Sequence, residues 1–164
     1  MTVDLFWNWS LSKYRCEATQ KCLLALQEAA DLVILEALFA CWLATQRVRW
    51  QSDDVSAMRE ATGLWIDEVV LPLRATRERW KSDTEKQSQR QRILRLEVDA
   101  ERYLAELMWT NTESTRDIGA GAVQRNEPGT AELMNANLSA LPIFNKGEFV
   151  SERRQLVALL IQST

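Results

Sequence analysis

Between Arg74 and Arg95 the sequence concentrates cations: Arg74, Arg77, Arg79, Lys81, Lys86, Arg90, Arg92 and Arg95, with Trp80 among them. Only Glu78, Asp83 and Glu85 oppose them. Eight basic and three acidic residues leave the stretch at +5 in a chain whose net charge is −3, so the remainder carries −8. Guanidinium and ammonium groups at this density can grip phosphates and release counterions, and an indole beside them can stack on a base. The same residues also describe a charged helix surface, its arginines paired with nearby acids and its stems laid over apolar area. The acidic overall balance favours the second description, because nucleic-acid-binding domains are usually basic as a whole.

Other chemistry is thinly supplied. The chain contains no His, which removes Ser-His-Asp and Cys-His arrangements, most zinc and di-iron sites and the commonest general base at neutral pH. Gly119-Ala120-Gly121 opens no strand-to-helix turn, so no phosphate-cradling loop is present. Carboxylates remain. Glu97 and Glu101 stand four apart on one helix face with Asp99 nearby and could hold Mg²⁺, although such glutamates more often pair with arginines on a solvated face. Glu36 interrupts an apolar run, where burial could raise its pKa; the bland alternative is a rim position or an Arg partner. Cys16, Cys22 and Cys41 have no CxxC spacing, and Cys22 and Cys41 sit in apolar text as small core residues. No catalytic residue, metal ligand or cofactor is expected. Scattered thiols suit a reducing compartment, Met1-Thr2-Val3-Asp4 lacks the start of a secretory signal, and the thirteen-residue apolar run Leu32–Ala44 is too short to span a bilayer. The expected location is cytoplasmic.

The elements that must position these residues are helices. Few Gly and Pro, and abundant Ala, Leu, Glu, Arg and Gln, predict an all-α fold without alternating β pattern or internal repeats. Helices are expected over about Asp4–Cys16, Glu17–Ala30 and Leu32–Thr45, the third apolar nearly all round and therefore central. Ser52, Asp53 and Asp54 cap a fourth, whose seam Ile66, Val69, Leu73, Thr76 and Trp80 is kinked by Pro72. A fifth, Thr84–Thr110, repeats the seam with Ile93, Leu96, Ala100, Tyr103 and Leu107. The two seams read as a long kinked antiparallel hairpin with the basic stretch at its tip. Residues 111–129 read as a flexible loop; Thr130 caps a short helix to Ser139, Leu141-Pro142 breaks it, and Ser151 caps a last one.

Three stretches resemble a proteobacterial family of small proteins designated domain of unknown function 2390. They are Leu5-Phe6-Trp7-Asn8-Trp9-Ser10-Leu11 with Tyr14; Cys22-Leu23 and Leu26-Gln27 leading into Leu38-Phe39 and Trp42-Leu43-Ala44; and Trp65 with Val69-Val70-Leu71-Pro72-Leu73-Arg74 and Arg77. The resemblance spans about residues 5–105 and implies a helical bacterial protein of no established activity. The family pattern places a Pro-Gly break after the first Tyr and polar residues at the opening of the third helix. This chain has Arg15-Cys16-Glu17 and Val33-Ile34-Leu35 there, and no functional residue is carried over.

The expectation is therefore one helical domain over residues 1–164, a compact bundle with the hairpin and one or two C-terminal helices. Its core should hold Phe6, Trp9, Leu23, Leu26, Leu38, Phe39, Trp42, Ile66, Val69, Leu73, Leu96, Ala100 and Leu107. The leading functional expectation is a non-enzymatic binding or adaptor protein whose partner is another protein, since Arg and Trp dominate interfaces and seven Trp exceed what this core needs. A nucleic-acid or ribosome-associated role through Arg74, Arg77, Arg79, Trp80, Lys81, Lys86, Arg90, Arg92 and Arg95 ranks second. A carboxylate-based enzyme ranks third, and no membrane contact is expected.

Overall fold

The computed structural model describes residues 2–115 and 128–162, and all regular structure within them is helical. The helices are α1 (Val3–Tyr14), α2 (Glu17–Ala30), α3 (Ile34–Thr45), α4 (Ser52–Trp65), α5 (Leu71–Arg79), α6 (Gln87–Thr115), α7 (Thr130–Ser139) and α8 (Val150–Gln162). A π-helical stretch, Ile66–Val70, joins α4 to α5, and a 3₁₀ turn, Thr84–Lys86, precedes α6. The expected loop begins later than its composition suggested, because α6 continues through Thr115; the part of that loop over 116–127 lies outside the described residues. Read from sequence as one domain, the chain groups into two compact units, divided inside α4 between Val55 and Ser56 and again after α6.

In the first unit α3 follows from its lack of a polar face. Every residue from Leu35 to Ala44 is buried, with Ala37, Ala40 and Ala44 letting neighbours approach closely. Helices α1, α2 and α7 pack against α3, and α8 packs on α2 and α7. Phe6 meets Phe39 edge-on at 4.9 Å between ring centroids and Trp42 at 5.4 Å, while Trp50 meets Phe39 edge-on at 5.7 Å. Asn137, in the last turn of α7 and fully buried, closes this core. Its Nδ2 donates to the carbonyls of Ala40 (3.0 Å) and Val48 (2.9 Å), and its Oδ1 accepts from the Trp50 backbone N–H at 2.8 Å. One amide thus satisfies three backbone groups, the Ala40 carbonyl within α3 and two on the buried chain just after it. The α2 stop carries no Gly: Asp31 takes the left-handed conformation (φ 53°) and its N–H donates to the Gln27 carbonyl.

The second unit is the hairpin of α4, the π stretch, α5 and α6. Pro72 is accommodated by the π-helical turn ahead of it, since its ring crowds the carbonyl four residues back and supplies no donor there. At the tip, Asp83 caps the 3₁₀ turn by accepting from the Glu85 N–H, and Gln87 Nε2 reaches the Asp83 carbonyl at 2.7 Å. Several expected core positions are corrected here. Leu96 is 52% exposed and Tyr103 45%, whereas Glu97, Ala100, Leu104 and Met108 face inward. The buried face of α6 is rotated by about one residue from the apolar seam, because the inward place that Leu96 was to take belongs to Glu97. Val69, Leu73 and Leu107 are half-buried, as is Trp9 in the first unit. Neither Thr130 nor Ser151 serves as the expected cap: Thr130 is the first residue of α7 behind Gly129, and α8 already begins at Val150.

Replacing Asn137 strands buried backbone groups, so Asn137→Ala should lower unfolding free energy by about 2–4 kcal/mol. Ser139→Ala removes only a local bond to the Ala136 carbonyl and should cost under about 1 kcal/mol. Urea midpoints of the two variants check this; equal midpoints would contradict it.

Candidate functional site

Two of the nine basic-stretch candidates are held inside the hairpin. Arg74 Nε donates to Glu97 Oε1 at 3.1 Å and its terminal nitrogen to Glu101 Oε1 at 2.9 Å. Arg77 Nε donates to Glu97 Oε2 at 2.5 Å, and its other nitrogens reach Glu97 Oε1 and the neighbouring Glu78. Both oxygens of a buried carboxylate are therefore occupied by arginines from the facing helix, a fork geometry that a lysine could not reproduce. The Glu97 side chain is only 5% exposed. Its hydrogen bond to Arg77, ahead of the opposing effect of burial, holds that guanidinium's pKa above the usual value. Burial raises the pKa of Glu101, and Arg74 opposes the rise. Arginine cations stand where a Mg²⁺ ion was considered, so the Glu97–Glu101 pair serves as the clamp of α5 to α6. Trp65 adds a second tie, donating Nε1 to the Ala100 carbonyl at 2.9 Å while its ring meets Tyr103 at 4.7 Å.

The other candidates sit at the tip or along α6. Arg79, Lys81, Lys86, Arg92 and Arg95 are exposed, and Arg90 and Trp80 are half-buried. Arg90 Nε donates to the Arg77 carbonyl, which turns it toward α5. Lys81 lies 4.0 Å from Glu78, and Lys86 lies 3.5 Å from Asp83 with its Nζ 5.4 Å from the Trp80 ring centroid. Arg79 donates to the Thr76 hydroxyl. Among the described residues Arg92 and Arg95 make no ion pair or hydrogen bond through their side chains. Counting Glu97, Asp99 and Glu101, eight basic residues face six acidic ones between Leu71 and Glu101, a net charge of +2. The tip is less cationic in the fold than in the one-dimensional stretch.

Elsewhere the polar candidates are interior. Glu36 is buried in the first turn of α3, where helix N–H groups favour a carboxylate. Cys41 is fully buried in α3, and burial pushes its thiol pKa up; Cys22, half-buried with its Sγ 3.9 Å from the Glu152 carbonyl, is raised for the same reason. Both shifts run against thiolate formation. Sequence reasoning missed Ser10, Lys13 and Thr19, all buried polar residues of α1 and α2. Burial lowers the Lys13 pKa, and its Nζ lies 5.7 Å from the Trp9 ring centroid. Their spacing gives no apolar gap or motif that would have revealed them. Among the described residues no three His, Cys, Asp or Glu side chains gather to hold a metal ion, and no helix is long and apolar enough to cross a membrane.

The family model described as protein of unknown function (DUF2390) matches residues 5–108, well over half of the chain, and the chain belongs to this family. The match contains the hairpin clamp but stops short of α7 and α8, and so of Asn137. No curated protein and no solved structure gives a match.

Neutralising Glu97 removes the carboxylate that Arg74 and Arg77 share and leaves them only Glu101 and Glu78, so Glu97→Gln should cost about 3–5 kcal/mol. Glu101 gives a different pH signature. A carboxyl whose pKa is raised on folding binds its proton more readily in the native state, so its contribution to stability grows as pH falls from neutral toward the unfolded value. Relative to Glu101→Gln, which does not titrate, the wild type should gain stability between pH 7 and pH 4.5 in paired urea titrations. A loss over that range would contradict the burial of Glu101.

Proposed function

We propose that this chain is a non-enzymatic binding or adaptor protein of the cytoplasm, and that it docks another protein through the outer surface of its helical hairpin. The observation that carries the reading is where the hairpin puts its apolar side chains: Leu64 is 73% exposed, Leu96 52%, Tyr103 45% and Leu71 43%. The clamp that closes the hairpin is largely polar, and these large apolar groups face outward. Such side chains, carried by α4, α5 and α6 of one unit, suit a protein contact, where a few aromatic, aliphatic and Arg anchors dominate binding. The residue inventory supports the same reading, with no His and with Glu97 and Glu101 engaged by arginines.

A nucleic-acid or ribosome-associated role is the second reading, favoured by exposed Arg92 and Arg95. It is weakened by the engagement of Arg74 and Arg77 and by the modest net charge of the hairpin. This role requires steep loss of RNA or DNA retention as salt rises.

A photo-cross-linking residue placed in the cell-expressed full chain tests the first reading. Adducts to a second protein should concentrate at positions 64, 96 and 103 and be scarce at the exposed first-unit positions Glu28 and Gln155. Adducts spread equally over both sets, or none at any position, would contradict docking through the hairpin.

A further inference from the structure

The first half of α6 carries a chemistry that the clamp does not use. From Gln87 to Leu96 it reads Gln-Ser-Gln-Arg-Gln-Arg-Ile-Leu-Arg-Leu, with three arginines and no acid, and so carries +3. No acidic residue lies in the helix's first turn, where the positive end of the helix dipole would favour one. Arg90 is turned toward the Arg77 carbonyl, which leaves Arg92 and Arg95 exposed and without side-chain partners among the described residues. The aliphatic groups of the same stretch also face outward: Leu96 is 52% exposed, Val98 42% and Leu94 36%. Helical spacing interleaves the two kinds. Arg92, Arg95 and Leu96 follow the i, i+3, i+4 rule on one side, and Leu94, Arg95 and Val98 adjoin them.

We propose that this stretch docks an acidic amphipathic helix of another protein, one whose apolar stripe is flanked by Asp or Glu. The inference rests on the adaptor reading and names the chemistry of its partner. Charge complementarity selects the occupant: unpaired guanidinium groups attract carboxylates in bidentate geometry, and the leucines between them require an apolar stripe to cover them. Nucleic acid would satisfy the arginines and leave Leu94, Leu96 and Val98 uncovered. The stretch holds no aromatic side chain for stacking, and Lys86 lies over the ring of Trp80. An anionic bilayer is disfavoured by the absence of Trp, Tyr or Phe from residues 87–98 and by the small number of unpaired cations. A symmetric dimer through this face would set +3 against +3.

The test is fluorescence anisotropy of the full chain at low salt with defined probes. The first is a labelled helical peptide of about twenty residues, enough to cover such a face, with a leucine stripe flanked by Glu. The others are the same peptide with Lys for Glu, a scrambled Glu peptide, a single-stranded RNA of similar length, and vesicles of phosphatidylglycerol and phosphatidylcholine. The Glu peptide should bind, and the double variant Arg92→Glu/Arg95→Glu should weaken it about tenfold or more. The Lys peptide should bind only that variant, which also shows that the reversed protein is folded. No binding of the Glu peptide, equal binding after reversal, or equal binding of the scrambled peptide would overturn the proposal. So would RNA or vesicles binding through Arg92 and Arg95 in place of the peptide, or a dimer that Leu96→Asp dissociates. Cross-links that persist at positions 64 and 103 while the peptide fails would remove this partner chemistry and leave the adaptor reading standing; loss of all cross-links would remove both.

Discussion

Glu97 carries its charge into the hairpin with almost no water around it, and a buried carboxylate is tolerable only when its oxygens are filled. Arg74 and Arg77 fill them from α5, one turn apart on the facing helix. That single requirement fixes how α6 is rotated about its axis. Once Glu97 points at α5, its neighbour Leu96 must point away, and Arg92 and Arg95 follow it to the outer side. The exposed apolar groups and the unpaired cations of α6 are consequences of one inward carboxylate.

The first unit is organised by the opposite constraint. Helix α3 offers no polar surface, so it is stable only when covered on every side, and α1, α2 and α7 supply that cover. Burying the chain just after α3 leaves the Val48 carbonyl and the Trp50 N–H in need of partners, and the Asn137 amide meets both together with the Ala40 carbonyl of α3. One unit therefore depends on apolar burial corrected by a single amide, and the other on an ion cluster that leaves apolar groups outside.

Much of this was legible in the residues. The hairpin follows from its two seams and the central place of α3 from its apolar run, whereas no Pro or Gly marks the break near Arg15. The rotation of α6 was not legible, because hydrophobic patterning assigns the inward side to leucine and assumes that glutamate faces water. Here a pair of arginines about twenty residues away in sequence reverses that assignment, and long-range ion pairing leaves no local signal. The basic stretch shows the same limit: its description as arginines paired with nearby acids fits Arg74 and Arg77, but their shared partner Glu97, and Glu101, lie beyond the stretch. Asn137 shows the limit from another side, since a lone Asn in a helix looks like any surface amide unless the backbone groups it meets are known. The family match adds membership and no activity, so the functional reading stands on side-chain placement.

The claim most central to this account is that the hairpin holds Arg74 and Arg77 on Glu97 and leaves Arg92 and Arg95 to solvent. Side-chain Nε–H exchange, followed by nitrogen-edited NMR on the full chain, reads that division directly. The Nε–H groups of Arg74 and Arg77 should be protected from exchange, and those of Arg92 and Arg95 should exchange rapidly. Uniformly fast exchange of all four, or protection of Arg92 and Arg95 with loss at Arg74 and Arg77, would contradict it.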